Sequence, residues 1–295
     1  MTIELVANYT STSIDPRHFA SAAEAAGFDG VGMSDHLFRT SAYPHVWVAV
    51  SAMAQATERV FLTTSFANNL FRSPVEFVQA SLTMQWLSGG RFQAGLGGGW
   101  LEQEVRAIGF DYPAPPARAR RYREAIQIAA ELLRTGSCQF AGEHYTIDVP
   151  VIGPAIDPAI GAPPLIASLG GPWTIAHISP LVDRVELKFG ASTRGGDLDM
   201  SALAHTTYDD LRRMIDQVRA VAPDTPVGLF TMIAIGDESE MAPLRAILGE
   251  GVYADFAGEP ARVLDKLRAL EDLGLDRVQV TERVKGSIAL LGTVA

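Results

Sequence analysis

The sequence predicts an α/β protein in which eight parallel strands close into a (β/α)8 barrel, the TIM barrel fold. Apolar runs of strand length alternate with stretches of helical period along all 295 residues, which is the pattern of βα units around a parallel sheet. The count of eight strand runs favours a closed barrel. We expect these strands at Ile3 to Tyr9, Gly30 to Ser34, Val60 to Phe66, Phe92 to Leu96, Leu165 to Ser168, Val182 to Leu187, Val227 to Ile233 and Arg277 to Thr281.

No repeat or low-complexity tract interrupts this series, so we expect one domain over residues 1–295, with a two-domain doubly wound fold as the alternative. Two irregular stretches are interpreted as insertions on the barrel. Gly109 to Ala117 is rich in proline, and Cys138 to Pro164 lies between the fourth and fifth strands. The second stretch predicts a hairpin followed by a proline-rich loop.

The ends of several helices carry clear signals. Asp15 and Ser73 each stand before a proline, which predicts two capped helix starts with proline in the first turn. Glu76 follows Ser73 at the spacing of a capping box. Glycine then closes three helices as a C-terminal cap: Gly27 after Phe19 to Ala26, Gly89 after Val75 to Leu87, and Gly274 after Ala261 to Leu273.

Charge and cysteine content exclude several function classes. A net charge of −10 argues against binding to nucleic acid or to an anionic membrane, because both need clustered Lys and Arg. The single cysteine, Cys138, excludes an internal disulfide. Met1 to Ala7 lacks a basic region, and no segment approaches the ~18 apolar residues of a membrane span. We therefore expect an unprocessed, soluble, cytoplasmic protein.

Three kinds of barrel and hydrolase chemistry are disfavoured. The histidines show neither His-x-His after the first strand nor His-Glu-x-x-His, so no metal is expected. A Schiff-base barrel requires a lysine at a strand end, and Lys188 is the only candidate, so this chemistry is a minor alternative. A Gly-x-Ser-x-Gly elbow for serine chemistry is absent from the sequence.

The active site of a TIM barrel is built at the C-terminal ends of the strands, and Asp35 and His36 follow the second strand. A histidine there can donate or accept a proton near neutral pH. The alternative is that His36 caps a loop or pairs with a neighbouring acid. Asp35 contacts a cofactor ring or braces the barrel, and it is not expected to pair with His36 because adjacent strand residues point to opposite faces.

Glycine-rich strand ends predict a phosphorylated cofactor. In Ser88 to Glu104 a short strand runs into Gly97, Gly98 and Gly99 and then an acidic helix start. Bare backbone N–H groups at a helix N-terminus favour an anion. Ser168, Leu169, Gly170 and Gly171 end the fifth strand, so two glycine-rich loops could grip an elongated anionic cofactor, although each could also be a tight turn.

Several large side chains leave two readings open. Trp47, Phe66, Trp100 and Trp173 could sandwich a flat ring or belong to the core. Arg39 and Arg72 could meet phosphate or carboxylate groups, or remain solvated in loops.

The chain resembles the luciferase-like flavin and deazaflavin oxidoreductases over nearly its whole length. Residues 23–36 are similar to the segment that delivers the active-site histidine of that family, and residues 87–100 resemble its most specific signature. Gly142 to Tyr145 resembles its insertion hairpin. The resemblance implies a luciferase-like β/α barrel, often dimeric, that binds coenzyme F420 (8-hydroxy-5-deazaflavin) or FMN.

Site residues follow from this resemblance position by position. Asp35 and His36 match residues beside the ring and are the catalytic residues that the resemblance implies, with Asp35 also contacting the cofactor. Ser65, Phe66 and Ala67 match the bulge after strand three, where the family commonly has a non-proline cis peptide. Gly97 to Gly99 and Ser168 to Gly171 match the backbone around the phosphate and side chain of the cofactor. The shortness of the chain and its likeness to F420-dependent reductases favour F420.

The implied function is hydride transfer between coenzyme F420 and a small organic substrate at a C=C, C=N or C=O bond, with His36 supplying or removing the proton. The alternatives are a reduced-FMN monooxygenase, a non-catalytic flavin-binding protein, and a cofactor-free isomerase or aldolase. Trp100 stands where the sugar-phosphate dehydrogenase branch has a glutamate, and lysines are few. We therefore expect a less polar substrate than a sugar phosphate.

Overall fold

The computed structural model describes residues 3–10, 14–38, 43–189, 193 and 196–294. Its strands are β1 (Glu4–Tyr9), β2 (Gly30–Met33), β3 (Phe61–Thr64), β4 (Ala67–Asn68), β5 (Phe92–Gly97), β6 (Cys138–Ala141), β7 (Thr146–Val149), β8 (Leu165–Leu169), β9 (Arg184–Leu187), β10 (Val227–Ile235), β11 (Ala257–Gly258) and β12 (Arg277–Glu282). Its α-helices are α1 (Pro16–Ala25), α2 (Val46–Gln55), α3 (Pro74–Leu87), α4 (Glu102–Ala107), α5 (Pro115–Thr135), α6 (Pro172–Ile178), α7 (Met200–Ala204), α8 (Tyr208–Val221), α9 (Glu238–Leu248), α10 (Val252–Asp255), α11 (Pro260–Arg268) and α12 (Ser287–Leu291).

Eight strands close a parallel barrel in the order β1, β2, β3, β5, β8, β9, β10, β12 and back to β1. The predicted (β/α)8 fold is confirmed, and each barrel strand ends within two residues of its predicted bounds. Because all eight run in the same direction, their C-terminal ends meet at one mouth of the barrel.

Two short strands were absent from the sequence prediction. β4 pairs with β5 through Ala67 opposite Leu96, and β11 pairs with β10 through Ala257 opposite Ala234. Both extend the mouth of the barrel. A strand of two residues is too short to show a period in the sequence, so only the neighbouring strand reveals it.

The helix signals are mostly confirmed. Asp15 accepts a hydrogen bond from the backbone of Arg17, and Gly27, Gly89 and Gly274 adopt positive φ of 88°, 65° and 85° after their helices. The capping box at Ser73 was a wrong prediction: Ser73 accepts from Val75 N at 3.2 Å, whereas the carboxylate of Glu76 lies 3.2 Å from Arg72 Nε.

The last predicted helix, Ala261 to Leu273, is divided in the structure. It forms α11 and then a 3-10 turn over Ala269–Leu273. The tighter turn ends at Gly274, so the predicted glycine cap closes the 3-10 turn rather than the α-helix.

Polar side chains fill the interior of the barrel. Asn8 Nδ2 donates to Ser34 Oγ at 2.9 Å, and Ser65 Oγ donates to Gln279 Oε1 at 2.7 Å. Gly32 leaves room for them, since a Cβ at this position would lie 2.2 Å from Ser65 Oγ. The network joins β1 and β12 to the segments after β2 and β3 and places hydrogen-bonding groups directly below the mouth of the barrel.

The predicted insertion hairpin between the fourth and fifth barrel strands is confirmed as β6 and β7, which pair in antiparallel fashion. Glu124 of α5 fastens its turn: the two carboxylate oxygens accept hydrogen bonds from the backbone of Glu143, His144 and Tyr145 at 2.8 to 3.1 Å. The hairpin is thereby docked on α5, whose first turn borders the mouth of the barrel.

The apolar core lies between the barrel and its helices, where Val31, Leu62 and Val185 of the strands and Ile128 of α5 are fully buried. Within the described ranges, none of the helices combines the length and the apolar character that crossing a membrane requires.

Candidate active site

A cavity of about 610 Å³ opens at the C-terminal mouth of the barrel, a volume typical of a cofactor or ligand site. It brings together most of the site residues expected from the sequence: Asp35, His36, Ser65, Phe66, Gly97, Gly98, Gly99, Ser168, Leu169, Gly170 and Gly171. Ala67 is fully buried in β4 and does not line the cavity. Residues separated by more than 130 positions in the chain therefore share one pocket.

His36 is oriented by a buried carboxylate that the sequence analysis did not assign. Its Nδ1 lies 2.8 Å from Oε2 of Glu104, whose side chain is fully buried. Oε1 of the same carboxylate accepts the backbone N–H groups of Leu37 and Phe38 at 2.6 and 3.0 Å. A carboxylate can only accept, so Nδ1 carries the proton and donates, and the reactive ring nitrogen is Nε2.

The pairing of His36 and Glu104 unites the two alternatives given by the sequence: the histidine both lines the cavity and pairs with an acid. Its ring also packs edge-on against Tyr43 and Trp100, with centroids 5.4 and 5.5 Å apart. Glu104 is the third residue of α4, where a carboxylate complements the helix dipole. That signal was visible in the sequence, but it gives no indication of a partner 68 residues away.

Asp35 braces the mouth of the barrel through two partners. Its Oδ2 accepts the backbone N–H of Asn68 at 2.7 Å and forms an ion pair with Arg72. Arg72 is therefore paired with carboxylates rather than solvated, while Arg39 lies outside the described residues. The pair ties the loop after β2 to the segment after β3 that carries Ser65 and Phe66. The peptide bond between those two residues is cis.

The glycine loops are shaped by packing as well as by the cavity. Gly99 has φ of 76°, and a Cβ there would lie 2.5 Å from Asn68 Oδ1. A Cβ on Gly98 would press against the ring of Tyr122 at 3.3 Å. The hydroxyl of Tyr122 donates to Leu96 O at 2.5 Å and accepts from Ser168 N at 3.1 Å. This residue joins the two glycine-rich strand ends, and burial raises its pKa.

Three basic residues that the sequence analysis left out of the site line the same cavity: Arg118, Arg120 and Lys188. Arg118 stacks over Tyr112 at 4.3 Å, and Arg120 donates to Glu143 at 2.9 Å. Both are in the first two turns of α5, which begins at Pro115, inside the stretch Gly109 to Ala117 that the sequence predicted to be irregular.

The four aromatic candidates divide between the two readings. Trp100, Trp173 and Phe66 line the cavity. Trp47 instead packs against Phe77 and Phe92, with centroids 6.1 and 6.0 Å away, and belongs to the core. The described part of the chain contains no cluster of three His, Cys, Asp or Glu that could hold a metal ion.

Residues 10–185 match the family model described as luciferase-like monooxygenase. The chain is 32% identical over 160 residues to an F420-dependent glucose-6-phosphate dehydrogenase of Amycolatopsis mediterranei (strain U-32), a match that covers 52% of this chain and 47% of that protein. A second protein of the same name, from Intrasporangium calvum, is 26% identical over 292 residues, with 88% and 85% coverage. The chain thus spans about half of the first relative and most of the second.

Two solved structures share the fold at low sequence identity. An F420-dependent secondary alcohol dehydrogenase in complex with an F420-acetone adduct superposes with a TM-score of 0.73, 17% identity and coverage of 100% of this chain and 98% of the other. The coenzyme F420 dependent tetrahydromethanopterin reductase from Methanopyrus kandleri gives a TM-score of 0.74 at 17% identity, with 99% and 98% coverage. Both likenesses support the barrel described above.

Proposed function

The chain belongs to the luciferase-like monooxygenase family, and on that premise we propose that it is an oxidoreductase that uses coenzyme F420 for hydride transfer to or from a small organic substrate. The observation that carries the proposal is the cavity at the barrel mouth, where His36, backed by Glu104, faces the same space as the two glycine-rich loops. The F420-dependent relatives support the deazaflavin as the cofactor.

The residues around the cavity fit a flat ring joined to a long anionic tail. The backbone at Gly97 to Gly99 and Gly170 to Gly171 carries no side chain, and Arg118 and Arg120 line the same cavity. These groups would hold the phosphate and the acidic tail, because amide N–H groups and guanidinium groups bind oxyanions. The segment of Ser65 and Phe66 would support the ring. Bound F420 supplies or accepts the hydride.

The protein contributes proton transfer and positioning. His36 exchanges a proton at Nε2, since Nδ1 is held by Glu104. Asp35 is engaged with Arg72 and Asn68, so we assign to it the role of fixing the loop beside the ring rather than that of an acid or base. Trp100, Phe66 and Trp173 line the cavity and keep water from the reacting atoms.

A titration with F420 and, separately, with FMN tests this proposal. Selective binding stabilises the native state by linkage, so F420 should quench fluorescence and raise the melting temperature at micromolar concentration, while FMN should not. Preference for FMN, with oxygen consumed in proportion to product, would replace the proposal by the reduced-FMN monooxygenase. F420 binding without turnover across a substrate panel would leave a flavin-binding protein.

We propose further that the protein acts in the cytoplasm as a homodimer. The single cysteine, Cys138, is buried and unpaired among the described residues, which suits a reducing compartment. Val48 of α2 and Trp86 and Leu87 of α3 expose 69%, 64% and 43% of their surface. Large apolar side chains exposed on adjacent helices are a property of protein interfaces, and a second copy of this chain is the partner that the family resemblance implies.

A further inference from the structure

One half of the cavity wall has no role in the function proposed above. The residues expected to hold the cofactor follow β2, β3, β5 and β8, which are consecutive strands of the closed barrel. The other half is formed by β9, β10, β12 and β1 and by the segments that follow them. Its lining includes one basic group, Lys188, and the aromatic and apolar side chains of Phe189, Phe230, Met232 and Tyr253, together with the hydroxyl groups of Thr10, Thr231 and Thr281.

Lys188 holds its ammonium group among aromatic rings. Nζ lies 4.8 Å from the ring centroid of Phe66 and 4.4 Å from that of Phe230. No hydrogen bond or ion pair joins Nζ to any residue in the described ranges. Burial lowers the pKa of Lys188 to about 8, against an opposing effect of Glu186. At pH 7 the group is therefore still mostly charged.

The neighbouring acid, Glu186, attracts the ammonium through space but forms no ion pair with it. Glu186 is in β9 and Lys188 is the first residue after it, and because they are two positions apart both side chains point into the barrel. The carboxylate of Glu186 is fully buried and lies 3.5 Å from Arg277 Nη1, on the side away from the mouth. Burial also raises the pKa of Glu186, which weakens its charge as a partner for Lys188.

Lys188 is partly exposed at the wall of the cavity, so its ammonium has lost part of its contact with water and gains from an opposite charge or from hydrogen-bond acceptors. The aromatic rings meet part of this need through their negative faces, but they leave the three N–H donors of Lys188 without acceptors in the described part of the chain. The protein has only three lysines and a net charge of −10, so a lysine in the wall of this cavity is an uncommon feature of the chain. An anionic oxygen in the cavity would complete its environment.

We propose that Lys188 determines specificity by binding the carboxylate of the substrate, and that the substrate is a small, otherwise apolar organic acid. The proposal rests on the proposed function, because it places the substrate opposite the cofactor half of the same cavity. A single ammonium in an aromatic wall suits a singly charged carboxylate, whereas phosphate recognition usually combines several donors. The aromatic and apolar neighbours receive the remainder of the molecule.

The test compares carboxylates with their neutral amides. Benzoate, phenylacetate and hexanoate are each titrated against benzamide, phenylacetamide and hexanamide by calorimetry, with the apoprotein and with the F420-loaded protein. The variants are K188M, which keeps the length and apolar stem of the side chain, and K285M, a matched control at an exposed lysine. Melting temperatures verify folding, and K188M should be about as stable as the wild type because no ion pair among the described residues is lost.

We expect the wild type and K285M to prefer at least one carboxylate over its amide by about tenfold or more, and K188M to lose that preference, as removal of one charged contact implies. The preference should also fade as the pH rises above about 8, where Lys188 loses its proton. The affinity of K188M for F420 should differ from that of the wild type by less than about threefold, because the loss of a charged contact to the cofactor would have a larger effect.

Two outcomes would overturn the inference. Equal binding of every acid and its amide by the wild type would show that the cavity does not select a carboxylate. A large loss of F420 affinity in K188M, with the carboxylate preference intact, would show that the ammonium serves the cofactor. Failure of the wild type to bind F420 contradicts only the proposed function, since the apoprotein titrations still test Lys188.

Discussion

At the scale of single residues, the chemistry of the site depends on His36 and on the carboxylate behind it. Glu104 presents one oxygen to the imidazole and the other to two backbone N–H groups of the following loop. One buried acid therefore fixes the tautomer of the histidine and the path of the chain next to it. Removing either side chain should have distinct, measurable effects.

Replacing His36 with alanine should lower turnover by about 10²- to 10⁴-fold, the usual contribution of a positioned acid or base. F420 affinity should change only a few-fold, because the backbone loops and arginines hold the cofactor. Single-turnover hydride transfer and cofactor titration separate the two effects. If H36A lost F420 binding but kept single-turnover chemistry, the assigned role would be wrong.

Replacing Glu104 with glutamine should lower kcat by about 10- to 100-fold, as loss of a group that orients a functional histidine typically does. Glutamine offers one acceptor oxygen, so it cannot satisfy both Nδ1–H of His36 and the two N–H groups of the loop. The pH profile of kcat should change as well, which a purely structural defect would not produce. E102Q is the matched control, because Glu102 is on the same helix and pairs with Arg106 at the surface.

At the scale of elements, Glu124 of α5 makes the largest set of backbone contacts to the insertion hairpin, which Arg120 and Arg121 of the same helix also contact. Replacing Glu124 with glutamine leaves one N–H of the turn facing an amide NH₂ group, and we expect a loss of about 1 to 3 kcal/mol in the free energy of unfolding. Cleavage at residues 142–145 by a protease should become faster. E131Q, at an exposed i,i+3 pair of the same helix, should change neither urea unfolding nor cleavage.

The elements themselves follow closely from local patterns. Both α1 and α3 begin with proline and are followed by glycine. Proline has a fixed φ that suits the first turn of a helix, and glycine adopts the positive φ that ends one, so both residues mark helix ends wherever they occur. Glu76 shows the limit of such signals, because its carboxylate could bind either the backbone at the start of its own helix or the side chain of Arg72, and it binds Arg72. A charged partner in the folded protein outcompeted the local hydrogen bond.

At the scale of the whole molecule, the prediction of a homodimer is open to direct measurement. Light scattering should give twice the mass of the 31.7 kDa chain. W86E introduces a charge at an exposed tryptophan of α3, and it should shift the protein towards monomer if that helix is part of the interface. I247E on α9, at a side chain 75% exposed, is the control. A monomeric wild type would contradict the prediction.

The prediction that residues 1–295 form one domain also belongs to this scale. A barrel closed by pairing of β1 with β12 joins the two ends of the chain, so unfolding by urea should be a single transition when followed by tryptophan fluorescence and by circular dichroism. Two separate transitions would indicate independently folding parts.

The sequence alone determined the order of the eight barrel strands, the barrel they close, the insertion hairpin, and most of the loops that surround the cavity. These properties follow from periodicity, strand count and the rule that parallel strands end at one mouth, all of which are readable along the chain. Only the tertiary structure decided the partners at that mouth. Glu104 behind His36, Arg72 beside Asp35, and the ammonium of Lys188 between Phe66 and Phe230 are contacts between distant positions, and local sequence carries no record of distances across a barrel.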